Sequence, residues 1–186
     1  MRITDLKPED TALIEQVAAI LVAAFAPNQP QYLPTTAEAL EEARESFAAD
    51  HLSLVALDDD GAALGWVGGI SGYGGRVWEL HPLAVAPASQ RRGVGRALVT
   101  ALEEWARALG GLTMTLGTDD VTGQTSLYGV NLYPEPWSHI ARIQNLRRHP
   151  YEFYQKQGYT ITGVVPDANG SGKPDILMAK SLQNAR

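Results

Sequence analysis

Apolar residues recur at helical spacing at Val94, Ala97, Leu98, Ala101, Leu102, Trp105 and Leu109, which predicts an amphipathic helix of about four turns. A second helical face, made by Leu13, Ile14, Val17, Ile20, Leu21, Ala24 and Phe25, follows Pro8, a residue suited to a first turn. Pro27, Pro30 and Pro34 then punctuate the chain. Thr35 and Glu38 have the spacing of a capping box ahead of a third helix containing Leu40, Ala43 and Phe47. Short apolar or alternating runs predict strands at 1–6, 51–58, 62–70, 77–86, 112–117, 158–165 and 174–180, with a short helix over 150–157. Asp59-Asp60-Gly61 marks the turn between the second and third strands. Gly68, Gly69, Gly72, Gly74 and Gly75 make the link to the fourth flexible or tightly turned. Residues 118–149 read as a long polar and aromatic insertion. The succession predicts a single α/β domain over 1–186, a twisted mixed sheet flanked by helices. A doubly wound sheet fits less well, because several adjacent strands have connections too short for a parallel crossover.

The junction between the fourth strand and the long helix carries the clearest chemistry. Trp78 to Val85 reads as a mostly apolar strand, and Pro87 bars simple continuation of its ladder. The helix then opens through Gln90-Arg91-Arg92-Gly93-Val94-Gly95-Arg96-Ala97. A helix start offers unpaired amides and partial positive charge to an anion. Two glycines remove side chains that would hold phosphate oxygens away, and three arginines add charge, so the segment reads as a seat for a diphosphate. The same glycines also suit a tight turn with close helix packing. The segment lacks the Gly-Lys-Ser/Thr ending of a nucleotide-binding P-loop and the three-glycine spacing of a dinucleotide fingerprint.

Composition narrows the partners. A 45% hydrophobic content supports an ordered core, and a formal net charge of -6 argues against broad nucleic-acid binding while suiting a cationic substrate. The absence of cysteine excludes a disulfide framework, a thiol nucleophile and a cysteine zinc site. No secretory leader pattern or membrane-length apolar run is present, so the expected location is the cytoplasm. His139 and His149 lack metal-ligand spacing, and no metal is expected. Glu79 and His81 are two residues apart on one strand and share a face, from which both can project into one cleft; each also suits a structural polar contact.

Taken in order, the strand, the basic glycine turn, the amphipathic helix, the next strand and the late Phe153-Tyr154-Gln155-Lys156-Gln157-Gly158-Tyr159 segment resemble the GNAT acyltransferase superfamily. The superfamily's Gln/Arg-x-x-Gly-x-Gly/Ala signature falls on Gln90 to Gly95. Trp78 to Leu83, Gly117-Thr118-Asp119-Asp120, Asn145 to Tyr154, and Pro166 to Gly170 through Lys173 to Ile176 resemble aminoglycoside 6'-N-acetyltransferases more narrowly. This resemblance implies transfer of acetyl from acetyl-CoA to the 6'-amino group of an aminoglycoside by direct attack, in a homodimer. A polyamine or protein N-acetyltransferase and a non-catalytic acyl-CoA sensor are the alternatives.

The resemblance also implies roles for single residues. Glu79 orients the amine or removes its proton directly or through water, His81 assists, and Tyr154 gives a proton to the departing thiolate. Acetyl-CoA is held by Leu83, Ala84 and Val85, whose amides align the thioester, and by Gln90, Arg91, Arg92, Gly93, Val94, Gly95, Arg96 and Ala97. Acceptor contacts are expected from Glu79, Asp119, Asp120, Glu135, Trp137, Tyr151, Glu152 and Asp175, on the substrate-side insertion and its neighbours. Packing or turn formation remains the simpler account of Tyr151, Tyr154, Asp119 and Asp120.

Overall fold

The structure is a computed structural model and describes residues 1–183. Two compact units emerge, Met1–Met114 with Leu182 and Gln183, and Thr115–Ser181.

In the first unit four strands lie in chain order: β1 (Arg2–Asp5), β2 (His51–Leu57), β3 (Ala63–Gly72) and β4 (Val77–Val85). Each pairs antiparallel with the next. Short links suffice for antiparallel neighbours, as the sequence argument required. Helix α1 (Thr11–Phe25) buries Ile14, Val17, Ala18, Ile20 and Leu21, and α2 (Thr36–Glu45) adds Ala39 and Ala43 to the same core beneath Val55, Trp66 and Ala84. The Trp66 indole N–H, buried with its ring, donates to the Ser53 hydroxyl at 2.9 Å, which removes the cost of an unpaired polar atom in that core.

One expected boundary moves, and another holds. Pro8 does not open α1; the chain first turns, with the Asp10 amide bonded to the Lys7 carbonyl at 3.0 Å, and the helix begins at Thr11. At α2 the capping box forms as expected: Glu38 N–H donates to Thr35 Oγ1, and the Glu38 carboxylate accepts from the Thr35 amide.

Helix α3 (Val94–Ala108) buries Val94, Leu98, Val99, Leu102 and Ala106. Trp105 and Leu109 belong to the predicted apolar stripe but are 43% and 58% exposed, so the buried stripe is centred on Leu98 and Leu102 instead. Gly68 and Gly69 also differ from the expectation of a loose link, since β3 runs on to Gly72. A Cβ on Gly69 would lie 2.7 Å from Leu102 Cδ1, and one on Gly65 2.8 Å from the Ala84 carbonyl oxygen. These glycines let β3 receive α3 and β4 closely. Tight turning is confined to the Tyr73–Gly75 3-10 turn, where Tyr73 and Gly74 have φ 51° and 65°.

The second unit contains most of β5 (Thr113–Asp119), with β6 (Thr160–Val165) and β7 (Asp175–Ser181); β7 lies between β5 and β6, and β6 and β7 are antiparallel. Within 118–149 the chain is ordered by its own bonds. Thr125 bridges Asn145, the Ser126 amide reaches the Gln144 carbonyl, and the Leu146 and Arg147 amides both reach Gln124. A short helix that the sequence pattern did not predict, α4 (Pro136–Ile140), lies in this stretch against β6. Helix α5 (Tyr151–Gln155) is shorter than the 150–157 expected. Among the described residues no helix is long and apolar enough to cross a membrane.

Candidate active site

In the first unit the strand chemistry sits at an irregularity in β4, upstream of the glycine turn. Glu79 pairs with Ile70 and Leu80 with Gly69, but the next pair is Leu83 with Val67, so His81 and Pro82 together oppose Gly68. This bulge leaves an extra residue outside the regular ladder. Glu79 and His81 are exposed, and Trp78, Leu80, Pro82 and Ala84 are buried, Ala84 alongside its partner Trp66. Gly68 permits the close approach, because a Cβ there would sit 2.3 Å from the His81 carbonyl oxygen.

His81 is gripped from a direction the sequence did not reveal. Its Nε2 lies 3.8 Å from Glu42 Oε1 on α2 and 3.5 Å from the Tyr32 hydroxyl. Tyr32 is steadied by an edge-to-face contact with Phe25, ring centroids 4.9 Å apart. Burial raises the Glu42 carboxyl above its ordinary pKa, and the opposing pull of His81 is smaller. Helical spacing placed Leu40 and Ala43 inward but gave no signal that Glu42 reaches β4.

After β4 the chain makes a Pro87–Ser89 3-10 turn, and the Gln90 side-chain amide donates back to the Val85 carbonyl at 3.2 Å. Gln90 therefore ties the turn to the strand end. Arg91 and Gly93 take left-handed conformations, φ 59° and 88°, and Gly93 is the N-cap of α3. With no capping side chain, the first amides of α3 are left to an external acceptor. A Cβ on Gly93 would meet nothing within 4 Å, so glycine serves the backbone conformation here, and the approach is open. Arg91, Arg92 and Arg96 are exposed around it, Gly95 and Ala97 are half-buried, and Val94 anchors the turn in the core. Leu83 and Val85 are half-buried and Ala84 is buried. An open helix start with three exposed arginines in and beside its first turn fits a diphosphate.

In the second unit the residues expected at the acceptor divide into exposed and structural groups. Asp120 has no exposed surface; its Oδ1 accepts from the Gln124 amide and its Oδ2 from the Thr125 amide, both at 2.7 Å. Its carboxylate organises the start of the loop, which corrects the expectation that it presents charge to a ligand. Asp119 is half-buried, and its carboxylate accepts from the Asn169 side chain. Asp175 is half-buried across Gly117, where a Cβ would lie 2.6 Å from its Oδ2. Glu135, Glu152 and Trp137 are exposed, Trp137 by 66%.

His149 is the hub that sequence reasoning missed. Its Nδ1 accepts from the Tyr151 amide at 3.2 Å, which leaves Nε2–H to donate to the Asp119 carbonyl at 3.0 Å. Asn145 clasps the His149 backbone on both sides, at 2.9 and 2.7 Å. Burial lowers the His149 pKa, so the neutral tautomer these bonds require is the one favoured inside the protein. Tyr151 is buried beside the imidazole, centroids 5.7 Å apart, and its burial raises its phenol pKa. Tyr154 is buried between Phe153 and Tyr159, with edge-on ring contacts at 5.0 and 5.7 Å. Desolvation pushes its phenol well above the ordinary range, so Tyr154 holds its proton firmly. That suits hydrogen-bond donation to an anion and gives less driving force for complete proton release. Among the described residues no cluster of three His, Asp or Glu side chains is placed to hold a metal ion.

The bulged β4, the glycine turn leading into α3 and the sheet with its flanking helices define the class, an α/β N-acyltransferase fold. The chain belongs to the acetyltransferase (GNAT) family, whose model matches residues 14–133. A search of curated proteins found no match. Among solved structures, an aminoglycoside 6'-N-acetyltransferase complexed with coenzyme A is 37% identical, with TM-score 0.91, covering 100% of this chain and 99% of that one. The aminoglycoside 6'-N-acetyltransferase from Enterococcus faecium is 38% identical at TM-score 0.88, covering 100% and 99%. An aminoglycoside 6'-acetyltransferase type Ii is 32% identical at TM-score 0.75, covering all of both chains.

Proposed function

We propose that this protein transfers the acetyl group of acetyl-CoA to the 6'-amino group of an aminoglycoside. The observation that carries the reading is similarity along the whole chain, at 37% and 38% identity, to two structures of enzymes named for that activity, one of them holding coenzyme A. The site supports it independently. Acetyl-CoA, as the donor substrate, would lay its diphosphate on the start of α3 among Arg91, Arg92 and Arg96, with the amides of Leu83 to Val85 beside the thioester. Glu79, exposed on β4, attracts the acceptor ammonium and orients it for loss of its proton. The neutral amine attacks the thioester carbonyl, the C–S bond breaks, and the thiolate leaves under a hydrogen bond from Tyr154. Direct attack follows from the absence of cysteine and of any serine in a nucleophile motif.

Asp119, Glu135, Glu152, Asp175 and Trp137 are the acceptor-side residues of this reading, with Tyr151 supporting the wall from inside. Exposed carboxylates at Glu135 and Glu152 suit a polycation, and the exposed Trp137 indole suits a sugar face. The family resemblance also supports one acetyltransferase domain spanning 1–186, with 118–149 as its substrate-side insertion, acting as a cytoplasmic homodimer. The test is acetyl-CoA turnover across a panel of aminoglycosides, with mass spectrometry locating the added group and Glu79→Gln as the control for acceptor chemistry. Acetylation at the 6'-amine, slowed by E79Q with acetyl-CoA affinity retained, is the expected result. Transfer to polyamines or peptides but to no aminoglycoside would overturn the substrate, and coenzyme A binding without transfer to any amine would overturn the activity.

A further inference from the structure

His81 meets two oxygen-bearing side chains at one ring nitrogen. Glu42 Oε1 is 3.8 Å from Nε2 and the Tyr32 hydroxyl 3.5 Å from it, while the His81 backbone is fixed by the β4 bulge over Gly68. An ionised carboxylate only accepts hydrogen bonds, and a phenol oxygen accepts as readily as it donates. A lone pair on Nε2 would point at the Glu42 charge, whereas an N–H there is attracted by it. The neutral ring therefore places its proton on Nε2 and its lone pair on Nδ1. Glu42 suits the task because its side chain is only 19% exposed, against 45% for His81, so water screens the pair weakly on the carboxylate side. The other ionisable groups acting on Glu42 are Glu45, which disfavours its charge, and His51, which favours it.

We propose that Glu42 is a positioning residue that, with Tyr32, holds His81 as the Nε2–H tautomer and leaves Nδ1 to take the proton lost by the acceptor ammonium. This rests on the acetyl-transfer reading above. In the balanced step the ammonium N–H proton passes to His81 Nδ1, and the freed nitrogen lone pair forms the bond to the acetyl carbonyl carbon. The C–S electron pair departs with the thiolate. The resulting imidazolium keeps its Nε2–H toward Glu42, whose charge stabilises it, and Glu79 holds the ammonium in place.

Long-range proton–nitrogen NMR of the His81 side chain in the full-length protein, above the imidazole titration range, reads the tautomer without any substrate. The expected result is a dominant Nε2–H form in the wild type, mixed tautomers in Glu42→Ala, and retention of the Nε2–H form in Glu42→Gln, which keeps an oxygen acceptor. Steady-state rates should show about a 10-fold loss of kcat in E42A, with the acetyl-CoA KM unchanged and partial rescue in E42Q. A dominant Nδ1–H form in the wild type overturns the proposal even if E42A fails to fold. So does an E42A protein with wild-type tautomer and kcat. A wild type that shows the Nε2–H form yet acetylates no amine refutes the acetyl-transfer reading and the proton-acceptor step, and leaves the Glu42–His81 positioning intact.

Discussion

Replacing Gly68 by alanine tests whether the β4 bulge carries the site. The added Cβ would lie 2.3 Å from the His81 carbonyl oxygen and 3.2 Å from its carbonyl carbon, both backbone atoms that no side-chain rotation can move. Relief requires β3 and β4 to separate by about 1 Å at the bulge, with an overpacking cost of about 1 to 3 kcal/mol. Because His81 is the residue displaced and Glu79 lies two positions away, kcat for amine acetylation should fall by up to about 100-fold. Urea denaturation measures the first effect, and saturating turnover the second. Gly74→Ala (G74A) is the matched control. It strains a left-handed residue at φ 65° with no atom within 4 Å of its Cβ, costing about 1 kcal/mol without touching turnover. If G68A has wild-type stability and kcat, the close approach is not a constraint. If only stability falls, the bulge does not align the catalytic residues.

Other expectations follow from single contacts. Tyr154→Phe keeps the buried ring stack but removes the hydroxyl, so kcat should drop about 10-fold or more with acetyl-CoA affinity unchanged; a wild-type chemical rate would leave Tyr154 a packing residue. Gly93→Ala strains the α3 N-cap, whose φ is 88°, and should weaken acetyl-CoA binding about 5-fold to 10-fold by calorimetry, with unchanged affinity removing the diphosphate seat. Asp120→Asn turns an NH2 group toward one of two buried amides and should cost about 3 kcal/mol in urea denaturation; a loss under about 1 kcal/mol would contradict the loop-organising role. Since the folded His149 pKa lies below its ordinary value, the unfolded chain binds the proton first on acidification. Stability then falls as pH drops from about 6.5 toward the folded value. His149→Gln should be less stable overall and flatter in that window, and parallel stability curves for the two proteins would refute the assignment.

Local rules were written plainly in the sequence because their causes lie within a few residues. The Thr35/Glu38 capping box, the four-turn length of α3 and the helix-opening glycine depend on hydrogen-bond reach along one segment and on backbone sterics at one position. The shared exposed side of Glu79 and His81 followed from strand alternation, which the burial of β4 keeps from Trp78 to Ala84 although His81 and Pro82 together oppose Gly68.

What the sequence by itself determined was the class of elements, their order and one motif: an α/β chain with a mixed, twisted sheet and a basic glycine turn at the head of its most amphipathic helix. Tertiary structure alone decided which polar residues are spent on the fold. Asp119 and Asp120 are adjacent and alike in sequence, yet one is half-buried against Asn169 and the other is sealed beneath two amides. His149 looked like a stray histidine and is the joint between Asp119 and Tyr151. Glu42 looked like one acid on a charged helix and reaches His81 from 39 positions away. The physical reason is common to all three. A side chain's charge state and role depend on desolvation and on partners brought together by packing, and neither is encoded in the spacing of nearby residues.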